Sequence, residues 1–148
     1  MAEPQSLGDF LAWNPPQLES FLSHGLLFRG SKAILYGKYK SLKSMLVTRL
    51  ALALARGEPW LGFNTEPCVV LYLSLEGAHQ QLQTRVKLMC NEGEHSIVKE
   101  VYFWTEYSLK IDDKEGYARI DEVLTEYKPD ILIIDPIYKV MQGSMLDE

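Results

Sequence analysis

Ala33-Ile34-Leu35-Tyr36-Gly37-Lys38-Tyr39-Lys40-Ser41-Leu42-Lys43-Ser44 decides how this chain should fold. Four largely apolar residues run into a glycine. Beyond Ser44, Leu46, Leu50 and Leu54 recur at intervals of four with Val47 beside them. The hydrophobic period thus changes from that of a short strand, Ala33 to Tyr36, to that of a helix. A loop at such a junction can hold a phosphate. Its backbone N–H groups curl around the anion, the helix N-terminus points at it, a lysine reaches the terminal phosphates and a hydroxyl serves magnesium. The candidate cradle is Gly37, Lys38, Tyr39, Lys40, Ser41, Leu42, Lys43 and Ser44, with Lys43 as the lysine and Ser44 as the hydroxyl. Leu42 stands where the pattern wants glycine, because a side chain there crowds the approach of phosphate to backbone. The bland alternative is an ordinary strand-to-helix turn with solvated lysines.

Downstream, the helix should end near Gly57, and a loop with Pro59, Trp60, Gly62 and Phe63 leads to Val69–Leu75, the most apolar run of the chain. An unbroken apolar strand implies burial on both faces and hence a parallel sheet. A helix from His79 to about Met89, a strand at Val101–Trp104, a helix over Lys114–Tyr127 closed by Pro129, and a strand at Ile131–Ile134 complete the alternation. Strands alternating with such helices predict an α/β three-layer sandwich with a mainly parallel sheet. Upstream, Met1–Pro16 reads as an arm, Gln17–Leu22 as a short helix, and Gly30-Ser31 as a turn. The expected organisation is an arm over residues 1–24 and a core over 25–148.

Two acids extend the site. Asp135 ends the run Ile131-Leu132-Ile133-Ile134, where a carboxylate can hold a magnesium-bound water. Glu76 follows Leu71-Tyr72-Leu73-Ser74-Leu75 in the same way and could polarise an attacking water as general base. Singly, each is also a common strand-terminal or helix-capping acid. Together with Lys43 and Ser44 they lie beyond the carboxyl ends of parallel strands, where ligands of open sheets gather.

Composition excludes several other classes. Fifteen basic against 20 acidic side chains give a formal charge of -5, unsuited to gripping nucleic acid non-specifically. Cys68 and Cys90 are too few for a disulfide framework and match no metal-ligand spacing. No apolar run approaches the ~18 residues of a membrane span, and no signal peptide is apparent, so a cytoplasmic protein without membrane contact is expected. Ser74, Cys90, His79 and His95 show no nucleophile elbow or paired spacing. Tyr102, Phe103 and Trp104 could stack on bases, although a place in the sheet core is the simpler role.

From about Phe21 to Asp135 the chain resembles RecA-like AAA-family P-loop ATPases related to plasmid replicative hexameric helicases. The resemblance is carried by Gly25-Leu26-Leu27 with Gly30, Lys40-Ser41-Leu42-Lys43-Ser44, Gly57-Glu58-Pro59-Trp60-Leu61-Gly62-Phe63, Ser74-Leu75-Glu76 and Ile134-Asp135-Pro136. It implies ATP and Mg2+ as ligands, phosphate and metal contacts at Lys43 and Ser44, a catalytic glutamate at Glu76 and the Walker B acid at Asp135. It further implies ATP hydrolysis, a homo-oligomer such as a hexamer, an arginine supplied by a neighbour, and a link to DNA replication, recombination or mobile-element maintenance. A non-catalytic nucleotide-binding or assembly module is the alternative that Leu42 favours. Against the family pattern the chain looks truncated at its C-terminus, after Gly143-Ser144-Met145-Leu146-Asp147-Glu148. The absent part includes the strand that relatives insert between the phosphate-loop strand and the Walker B strand.

Overall fold

The computed structural model describes residues 4–38, 40–90 and 98–140; Tyr39, His95 and the terminal segment from 141 lie outside them. Three parallel strands form the central sheet: β3 (Val70–Ser74) in the middle, β4 (Val101–Thr105) on one side and β5 (Ile131–Asp135) on the other. Every residue of β3 is buried, as its unbroken apolar run requires. A separate antiparallel pair, β1 (Ser20–Leu22) with β2 (Leu27–Phe28), straddles position 24.

The pleat of β3 divides the core in two. Val70 and Tyr72 face Ala51 and Leu54 of α2 (Lys43–Arg56), Leu82 of α3 (His79–Met89) and Phe21 of β1. Leu73 and Leu75 face Leu109, Val140 and Ile120, the last on α4 (Lys114–Tyr127). Helices therefore cover both faces of a parallel sheet, and the three-layer α/β architecture expected from the alternation is the one observed. The aromatic run of β4 also goes to packing: Phe103 meets Tyr72 with ring centroids 5.6 Å apart, and Tyr102 meets Tyr127 at 4.6 Å.

Local chemistry sets the helix ends. Gly57 closes α2 in the left-handed conformation, with its N–H donated to the Ala53 carbonyl. The Asp113 side chain caps α4 by accepting the Gly116 N–H at 2.7 Å. Lys128, also left-handed, ends that helix one residue before Pro129.

Two local expectations are corrected. Gln17–Leu22 is not helical, because its end joins the β1–β2 pair and places Phe21 and Leu22 in the core. Ala33–Tyr36 is not a strand either. It has no ladder among the described residues, and Ile34 and Tyr36 are 75% and 89% exposed. An apolar run becomes a strand only where a neighbour takes its N–H and C=O groups. β5 ends the sheet on that side, and the run at 33–36 does not close up against it.

Before α1 (Leu7–Ala12) there is a Ser6 cap that accepts the Asp9 N–H. This short helix buries none of its residues, and Phe10 and Trp13 pack only loosely, with centroids 6.2 Å apart. Arg29 pins the β1–β2 pair to the start of β5: its guanidinium reaches Glu19 and, at 2.8 Å, Asp130, whose other oxygen accepts the Val69 N–H at 2.9 Å. Although burial works to raise it, the Asp130 carboxyl is held below its usual range by Arg29 and Val69. The free thiols behave as expected, with Cys68 buried and its pKa pushed up to about 12, chiefly by that burial.

Candidate functional site

In-register pairing brings the chemistry to one rim. Ser74 pairs with Asp135 on one side and Thr105 on the other, so the three strands end together. Leu75 donates its N–H to the Asp135 carbonyl at 2.9 Å, which sets Glu76 just beyond Asp135 at the rim. The Glu76 side chain is half exposed; it accepts a hydrogen bond from the Tyr138 hydroxyl and lies 3.7 Å from the Lys139 ammonium. Both partners belong to the 3-10 turn Ile137–Val140 that follows the cis Asp135–Pro136 bond.

The phosphate-loop candidate folds over its own lysine. The Lys43 ammonium donates to the carbonyls of Gly37 (2.9 Å) and Lys38 (2.7 Å) and to Ser41 Oγ (3.3 Å). A Cβ at Gly37 would lie 3.1 Å from Ser41 Oγ, close enough that the serine side chain would have to shift. No side chain caps the N-terminus of α2, so its first N–H groups and the positive end of a 14-residue helix face outward. Lys40 and Leu42 both adopt positive φ, near 60°, and bend the loop onto the helix.

Leu42 is the position where glycine was wanted, and its backbone is left-handed at φ 60° and ψ 22° while its side chain is 71% exposed. A non-glycine residue costs about 1–2 kcal/mol in that conformation, and an exposed leucine recovers little of it. Glycine loses roughly 0.5–1 kcal/mol of backbone entropy in return. Leu42→Gly should therefore raise stability by up to about 1 kcal/mol. Chemical denaturation reads this as a higher midpoint, and a lower one would show that the leucine side chain holds the loop.

Sequence reasoning overlooked what joins the start of α2 to the end of β5. Tyr72, fully buried in mid-β3, donates its hydroxyl to Asp135 Oδ2 at 2.6 Å. Burial, helped by that hydrogen bond, pushes the phenol pKa well above its ordinary range, so it stays a donor. Thr48, also fully buried, sends its hydroxyl to the Ser44 carbonyl at 2.6 Å, and its oxygen lies 3.4 Å from the Tyr72 oxygen. Ser44 and Asp135, predicted as the two metal-side residues, thus share one buried support. A tyrosine hydroxyl in the middle of an apolar run was the available signal, since a buried tyrosine needs a partner for its O–H.

The remaining rim groups pair with one another. His79 Nδ1 sits 2.9 Å from Thr105 Oγ1, and Glu106 accepts from the N–H groups of Tyr107 and Ser108. Among the described residues, no cluster of three or more His, Cys, Asp or Glu is built to hold a metal by itself. Nor, among them, is any helix long and apolar enough to cross a membrane.

The architecture agrees with comparison to known families. The family described as an AAA domain matches residues 1–148. No curated protein and no solved structure matches the chain. With a match over the whole sequence and a parallel sheet covered on both faces, the chain belongs to the AAA domain family of P-loop ATPases.

Proposed function

We propose that this chain binds ATP with Mg2+ at the loop Gly37–Ser44 and hydrolyses it, as the core of a RecA-like ATPase. The observation that carries the reading is the line that runs from Thr48, bonded to the Ser44 carbonyl, through buried Tyr72 to Asp135, which ties the start of α2 to the end of β5. The donor set fits the ligand. An uncapped helix N-terminus, an ammonium already inside the loop, a hydroxyl at Ser44 and an oriented carboxylate at Asp135 are what a magnesium-bound triphosphate requires. Ser44 and Asp135 would hold magnesium, which would supply charge neutralisation at the phosphates.

The chain's own residues then divide the work. Lys43 leaves the carbonyls of Gly37 and Lys38 and turns to the phosphates, which the loop N–H groups cradle. Ser44 and Asp135 hold the metal side, Asp135 steadied by Tyr72. Glu76, once free of Tyr138 and Lys139, takes the proton of the attacking water. Its engagement by those two residues favours a second reading, a nucleotide-binding or assembly module that does not turn over.

Residues 25–148 form the ATPase core in this proposal, and 1–24 an arm whose end is pinned by β1. The resemblance to plasmid replicative helicases supports a homo-oligomer such as a hexamer and a DNA-linked role in replication, recombination or mobile-element maintenance, and the two unpaired cysteines support a cytoplasmic location.

Thermal melting with ATP and magnesium tests the binding reading. A ligand at 100 times its Kd adds about 2.7 kcal/mol, worth roughly 5–10 °C for a chain of this size. Lys43→Ala should lose nearly all of that protection. Absence of protection in the unmodified protein would overturn the proposal.

A further inference from the structure

We infer that Tyr72 is a positioning residue for the metal side of the site, fixing the Asp135 carboxylate relative to the phosphate-loop helix. The inference rests on the nucleotide-binding reading above and deepens it. Tyr72 interrupts the apolar run of the central strand with a hydroxyl, although phenylalanine would fill the same space. Burying a hydroxyl without a partner costs on the order of 1–3 kcal/mol, so its partner matters. That partner is Asp135 Oδ2, at 2.6 Å.

The ring is well placed to act as a fixed strut. It has no exposed surface, sits in the strand flanked by both others, and packs against Phe103 at 5.6 Å. Asp135, by contrast, ends an edge strand and is only half-buried, where a free carboxylate would rotate. The hydrogen bond from a fixed donor engages one carboxylate oxygen and arrests that rotation. The contact with Thr48 is different in kind. The single Thr48 proton goes to the Ser44 carbonyl at 2.6 Å, which leaves the 3.4 Å approach to Tyr72 as packing. This packing nonetheless registers the strut against the turn that carries Ser44.

The experiment is a calorimetric titration with ADP in EDTA and over a series of MgCl2 concentrations, on the parent protein, Tyr72→Phe, Asp135→Asn and the double variant. Removing a group that orients a metal-binding side chain typically weakens metal affinity by about tenfold or more. Tyr72→Phe should bind ADP in EDTA as the parent does, yet need about tenfold more magnesium to reach the tightened state. In the Asp135→Asn background the same change should add almost nothing, since the strut then has no carboxylate to hold. An unchanged magnesium requirement in Tyr72→Phe overturns the inference while leaving the binding proposal intact. So does an equal loss with and without magnesium, the mark of a purely structural role. A parent protein that binds no ADP instead removes the proposal on which the inference stands.

Discussion

Glu76→Gln should leave ATP bound about as tightly as in the parent protein and lower its turnover by about 10²- to 10⁴-fold, the usual worth of a general base. Glutamine keeps the shape of the side chain and still offers an oxygen to the Tyr138 hydroxyl, so the rim beyond β3 should hold. What it loses is the ability to accept a proton from water. The ion pair with Lys139 disappears as well, but at 3.7 Å between half-exposed groups it contributes little. The variant also separates the two readings of the site. Single-turnover assays of parent and variant would show a large gap if Glu76 is the base. Equal rates would remove Glu76 from the chemistry, and no turnover in either would favour the assembly module.

Gly116→Ala is the substitution with the largest expected effect on stability. In an ordinary helix interior the change would help, because alanine exceeds glycine in helix propensity by about 1 kcal/mol. Here a Cβ would lie 1.7 Å from the Lys110 carbonyl oxygen and 2.7 Å from its carbon. Those are backbone atoms and cannot swing aside. The start of α4 would have to move off the 108–112 loop, breaking the Asp113 cap and loosening Leu109 and Ile111 in the second core. Overpacking of this severity costs about 3 kcal/mol, a fall in Tm of roughly 6–12 °C for this chain length. Circular dichroism melting measures it, and a raised Tm would show that α4 does not approach Lys110 so closely.

Much of the fold could be read from hydrophobic period because its elements are buried in the regular way. β3 is buried throughout, as the long apolar run around it implied, and α4 spans Lys114–Tyr127, the stretch expected to be helical. The failures share a physical cause. Ala33–Tyr36 has the composition of a strand but no neighbour to pair with, and Gln17–Leu22 has helical spacing yet is claimed by a hairpin partner at Leu27–Phe28. Pairing is a tertiary property, and local sequence does not contain it.

The candidate site divides in the same manner. Lys43, Ser44, Glu76 and Asp135 could be named because each sits at a strand end or a helix start, positions that periodicity reveals. Tyr72 and Thr48 could not, because their roles come from a contact between a mid-strand residue and the second turn of a helix 24 positions away. Tyr138 and Lys139 were hidden for a similar reason. They reach Glu76 only because the chain turns sharply after Asp135. Leu42 was legible as a departure from the glycine pattern, and its left-handed backbone shows that the loop keeps the glycine conformation without the glycine.

The claim that this loop is a working nucleotide site meets its most direct test in a calorimetric titration of the unmodified protein with ATP, run in magnesium and again in EDTA. Saturable binding of one ATP per chain, tightened by magnesium, is the expected result. No binding under either condition would contradict it and leave an AAA domain whose phosphate loop stays closed on its own lysine.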